Sequence, residues 1–137
     1  MHTIDFESLP IEPRPDFPPE PVCVSIKQKG KKPIFAFGKS AMRAALEPIF
    51  KGKDEMCFHN AAFDVSVAVE KLGLPMPAWH RVHDTKFLLF LHSPYENLSL
   101  KPACAKLLNF GEEDQADLEA WIRANIAEAR GKKNWDK

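Results

Sequence analysis

The chain has 137 residues, 45% of them hydrophobic, with 19 Lys and Arg against 19 Asp and Glu. That length and composition fit one domain with a core. Zero net charge excludes a protein that grips duplex DNA by charge alone. No apolar run is long enough to span a bilayer, and no charged–apolar–small leader pattern stands at the start, so the chain reads as cytoplasmic. Cys23, Cys57 and Cys104 form no C-x-x-C pair and read as small core residues in a reducing compartment.

Residues 2–7 alternate and predict a short strand. The stretch 9–21 holds six of the twelve prolines and predicts an extended loop. Residues 22–28 and 33–38 predict two strands around the lysine-rich turn of Lys27, Lys29, Lys31 and Lys32. That tip is either solvated or in contact with phosphate. Met42, Ala45, Leu46 and Ile49 predict a helix over 39–50, with Ser40 as N-cap and Pro48 weakening the last turn. A strand over 55–60 leads into a helix over 61–74, with Asn60 as N-cap and Gly73 just past its end. Residues 81–83 predict a strand. Asp84 or Thr85 then caps a helix over 86–93 that is apolar nearly all round and is expected to be buried. Two more helices follow over 98–109, with Ser99 as N-cap, and over 112–130, with Leu118, Trp121, Ile122 and Ile126 as its stripe. Three strands in a meander, followed by alternating helices and strands, predict an α/β fold with a mixed sheet flanked by helices.

Three constellations carry chemistry. In D-F-E, Asp5 and Glu7 share one strand face, about 7 Å apart by strand rise. Read alone, this is what any half-exposed strand shows. On a central strand the two carboxylates would either raise a pKa or recruit a cation, and oxygen ligands select hard ions such as Mg²⁺ or Mn²⁺. In H-N-A-A-F-D (59–64), Asn60 and Asp64 share the first turn of a helix after a strand end, where α/β sheets build their sites. In H-D-T (83–85), Asp84 reads as a structural cap. His80 and His83 lie three apart but have no cysteine nearby, which disfavours zinc. No G-x-S-x-G, Walker A or G-x-G-x-x-G occurs.

Taken in order, D-F-E, the meander, F-H-N-A-A-F-D, H-D-T-K-F-L-L-F-L and L-S-L-K-P-A-C-A-K-L-L-N-F resemble the DnaQ-like 3′–5′ exonucleases of the DEDD superfamily. The likeness is greatest to proofreading domains of polymerase I-type phage and bacterial DNA polymerases. The resemblance implies a ribonuclease H-like fold: a five-stranded mixed sheet with strands one to three antiparallel, flanked by helices. It implies Asp5, Glu7 and Asp64 as catalytic and metal-binding residues around two Mg²⁺ or Mn²⁺ ions. Asn60, His59 and Phe63 would contact substrate. The reaction it implies is in-line hydrolysis of a terminal phosphodiester at a single-stranded DNA 3′ end, with a DNA polymerase as partner and no membrane.

The family's third motif, Y-x-x-x-D or H-x-x-x-x-D on a late helix, supplies a fourth carboxylate. Downstream of residue 64 neither pattern occurs: Tyr95 is followed at i+4 by Ser99, and His80, His83 and His92 are followed at i+5 by Thr85, Leu88 and Asn97. Residues 1–137 therefore read as a single exonuclease-like domain cut off before its last catalytic helix. The competing expectation is a non-catalytic nucleic-acid-binding or polymerase-associated module.

Overall fold

Period-two alternation builds the sheet. The first strand, β1 (His2–Ser8), buries Ile4 and Phe6 and turns Thr3, Asp5 and Glu7 outward. The second, β2 (Pro21–Gln28), buries Val24 and Ile26, and β3 (Ile34–Phe37) buries Ala36. These features come from a computed structural model that describes residues 1–109. The chain divides into two compact units, Met1–Glu96 and Asn97–Lys137.

In the first unit β1 pairs antiparallel with β2, and β2 with β3. Two parallel strands, β4 (Met56–Phe58) and β5 (Val82–Asp84), complete a five-stranded sheet of order β3-β2-β1-β4-β5. This is the mixed ribonuclease H-like sheet that the sequence predicts. Helix α1 (Lys39–Lys51) packs on β2 and β3 through Met42, Leu46 and Phe50. Helix α2 (Ala61–Ser66), continued by a π-helical turn over Val67–Lys71, packs on β4 and β5. The core lies between these helices and the inner sheet face. Gly73, at φ 64, ends the helical run: its N–H donates to Val69 and that of Leu74 to Ala68.

Three expectations need correction. Ser40 lies inside α1, because Gly38 at φ 79 turns the chain out of β3 and the helix starts there. The cysteines are free and half-buried, not core residues. Helix α3 (Thr85–His92) buries no residue, and Phe87, Leu88, Phe90 and Leu91 are exposed. It leaves the edge strand β5, and among the described residues of its own unit no other element packs extensively along it.

Within the second unit, α4 (Leu100–Leu108) has Ser99 at its N-cap position, without a side-chain capping bond. The helix predicted over 112–130 lies outside the described residues. Among the described residues, no helix is long and apolar enough to cross a membrane.

Candidate active site

Asp64 reaches β1 because β1 outruns its parallel neighbour. β1 pairs with β4 only at His2 and Thr3. The N–H groups of His2, Ile4 and Phe6 all point to the β4 side, since strand amides alternate. His2 finds a partner there in the Glu55 carbonyl, at 2.8 Å. By Phe6, β4 has already turned into α2. Asp64, in the first turn of α2, takes the place of the missing strand: its Oδ1 accepts the Phe6 N–H at 3.3 Å. Asp64 is thereby keyed to the residue between Asp5 and Glu7.

Asp64 is 3% exposed. Burial pushes its carboxyl up to about 7, against the Phe6 N–H, and the negative charges of Asp5 and Asp84 push the same way as burial. Asp5 faces solvent, but the protein around it still desolvates the carboxyl and raises its pKa. Glu7 adds to the rise and His59 opposes it. The three predicted catalytic carboxylates are thus electrostatically linked. Their oxygens are the hard donor set that suits Mg²⁺ or Mn²⁺. Among the described residues, no group of three or more His, Cys, Asp or Glu is placed so that it could hold a metal ion.

The expected substrate-contacting residues line the same turn. Asn60 is left-handed, at φ 82 and ψ 57, and its side chain makes no helix-capping bond. His59 Nδ1 lies 2.9 Å from Thr85 Oγ1, and that hydroxyl donates to the Phe58 carbonyl at 3.1 Å. A hydroxyl has one proton, so Thr85 must accept from His59 Nδ1–H. This fixes the orientation of the imidazole. Phe63 is half-buried against the core, with its ring 6.2 Å from that of Phe17 in the proline-rich loop.

Asp84 does more than the predicted cap. Its carboxylate accepts from Lys86 N–H at 2.9 Å and Phe87 N–H at 3.4 Å, capping α3. It also accepts from Asn60 N–H at 3.0 Å and Ala61 N–H at 2.9 Å, capping α2 across the sheet. Burial works against its charge, but the four N–H groups outweigh burial and hold the carboxyl below its ordinary value. The Asn60 side chain, predicted to cap α2, is replaced in that role by Asp84. Residue 84 lies too far along the chain for a local motif to reveal this. Arg81 was also not predicted. It is buried and donates to the Ile49, Phe50 and Asp54 carbonyls, which fastens the end of α1 beneath the sheet. A separate cavity of about 230 Å³, lined by His2, Ile26, Gln28, Lys31, Lys32 and Ile34 among others, opens at the opposite end of β1 from the carboxylates.

No protein-family model and no curated protein matches this sequence. Solved structures do match. Brucella melitensis NrnC with bound Mg²⁺ superposes with a TM-score of 0.65 at 22% identity, over 80% of this chain and 54% of that one. Brucella melitensis NrnC bound to pGG gives 0.64 at 22%, over 80% and 53%. A structure described as the apo form of the nuclease gives 0.64 at 19%, over 83% and 55%. The chain thus spans about half the length of the structures it matches. What it shares with them is the fold, a ribonuclease H-like sheet of order β3-β2-β1-β4-β5.

Proposed function

We propose that this chain is a metal-dependent 3′–5′ exonuclease domain of the DnaQ-like, proofreading kind. The observation that carries the reading is the Asp64–Phe6 hydrogen bond, which ties a buried carboxyl to the backbone of the residue between Asp5 and Glu7, 58 residues away in sequence. A near-neutral carboxyl beside a second acid is the electrostatic setting that a divalent cation relieves. Asp5, Glu7 and Asp64 would hold Mg²⁺ or Mn²⁺. Such an ion, when bound, supplies an acidified water and charge stabilisation at the phosphate. Similarity to NrnC, solved with Mg²⁺ and with pGG, supports both the cation and an oligonucleotide as ligands.

The other residues bind and orient. Asn60 and His59 face the strand-to-helix turn where a 3′-terminal nucleotide would sit, and Thr85 holds the His59 ring. Phe63 contributes an apolar wall beside Phe17. Asp84 holds the backbone of the turn.

A second reading, a non-catalytic nucleic-acid-binding or polymerase-associated module, is favoured by one observation. Residues 65–137 contain neither form of the third motif. Incubation with 3′-labelled single-stranded DNA and Mg²⁺ or Mn²⁺ separates the two. Metal-dependent shortening that Asp5→Ala abolishes supports the exonuclease. Binding without shortening at high protein concentration supports the module.

A further inference from the structure

The outer face of the β1-β2-β3 meander carries two exposed aromatic rings in register with the acidic residues. Cross-strand pairing places Asp5, Ser25 and Phe35 in one row, and Glu7, Cys23 and Phe37 in the next. Side chains directly opposite in a sheet share a face. Phe35 and Phe37 therefore stand on the same face as Asp5 and Glu7, two strands away, or about 10 Å by strand spacing. They are 61% and 68% exposed, while Ala36 between them is buried. The two rings are about 7 Å apart by strand rise, enough for each to take a separate base. The row beyond Asp5 pairs Thr3 with Lys27, whose ammonium is tied to the Lys31 carbonyl of the hairpin turn. Lys29 lies in the same turn, also exposed. One face thus runs from acidic residues to bare aromatic rings, with lysines at its hairpin end.

We propose that this face is a stacking platform for single-stranded nucleic acid. Bases upstream of the 3′ end would lie on Phe35 and Phe37, with their phosphates towards Lys27 and Lys29. The inference rests on the exonuclease reading only for where the 3′ end lies. Three features argue for a nucleic-acid occupant. The rings are exposed on an otherwise polar sheet face, the lysines complement a polyanion, and the patch is continuous with the carboxylates. Aromatic side chains on an open sheet stack bases regardless of sequence, and basic residues beside them follow the backbone.

The test is fluorescence anisotropy with labelled oligodeoxythymidylate in EDTA, where no metal-dependent turnover occurs. The double substitution Phe35→Leu with Phe37→Leu keeps the apolar surface and removes stacking. It is expected to weaken binding at least tenfold, about 1.4 kcal/mol, since stacking is lost at two positions. Phe35→Trp with Phe37→Trp restores binding, and Lys29→Ala flattens the decline of affinity with salt. Wild-type affinity in the leucine pair, no binding by the wild type, or a change in oligomeric state without a change in binding overturns the proposal. An unchanged salt slope in Lys29→Ala overturns the hairpin's part in it. The exonuclease reading is judged separately, by metal-dependent shortening in the wild type.

Discussion

Asp64 and Asp84 belong to adjacent strand-to-helix junctions of the same sheet, and their surroundings are opposite. Asp84 ends β5 and accepts four backbone N–H groups, two from each of two helices. Its charge is stabilised and fully committed to the fold. Asp64 follows β4, is buried, and has the long Phe6 N–H from β1 and its own backbone N–H to set against desolvation and the charges of Asp5 and Asp84, which outweigh them. Its charge is costly to the bare protein. An aspartate whose anion the fold already satisfies is structural. One whose anion the fold leaves poorly satisfied, next to a second acid, is the group that the proposed cation would relieve.

The largest test of this contrast is Asp84→Ala. It removes both caps and is expected to destabilise the protein by about 2–4 kcal/mol, at about 1–2 kcal/mol per cap. Chemical denaturation with and without Mn²⁺ checks this, and the loss should be the same in both. Asp64→Asn should act in the other direction. Without metal it should raise stability near neutral pH, by on the order of 1–3 kcal/mol.

The pH dependence follows from the same two groups. The Asp64 carboxyl is raised from 3.8 to about 7, so between these values the native state holds a proton that the unfolded chain has lost. Stability contributed by Asp64 is therefore full below about pH 4 and falls as pH rises towards about 7. Asp84 is shifted downward, so its contribution is present above its ordinary value and lost as pH falls through the folded value. In wild-type protein without divalent ions, thermal midpoints should decline from about pH 5 to pH 7. In Asp64→Asn that slope should flatten.

Smaller effects mark the edges of the site. Thr85→Val removes the acceptor for His59 and a donor to Phe58, and should cost about 1 kcal/mol by chemical denaturation. It should also weaken binding of a 3′-terminal nucleotide, read by anisotropy with a short oligonucleotide. Lys51→Ala breaks an exposed pair with Glu47 far from the carboxylates and should leave the denaturation midpoint unchanged.

Local pattern made the strands and their order readable. Ile4 and Phe6 alternate with Asp5 and Glu7, and Val24 and Ile26 with Cys23 and Lys27, so the inner faces of β1 and β2 could be read from their residues, whereas I-F-A-F in β3 is apolar throughout and names no face. Gly73 marked the helix end by its own chemistry. Features that depend on distant partners were not readable. Asp84 caps α2 from 23 and 24 residues away, and nothing around Asn60 and Ala61 announces it. The all-round apolar pattern of α3 states a need for neighbours without naming any, and the described residues leave that helix exposed. Asp5, Glu7 and Asp64 could be named from motif order. The reason Asp64 belongs beside Phe6, the short pairing of β1 with β4, required the register.

The most direct test of the central claim is calorimetric titration of Mn²⁺ at about pH 6 in two buffers of different ionisation enthalpy. With Asp64 largely protonated before binding, the wild type should release most of a proton per ion bound on its account, and Asp64→Asn should release correspondingly less. Binding without proton release, or equal release from both proteins, would contradict the assignment of Asp64 to the cation.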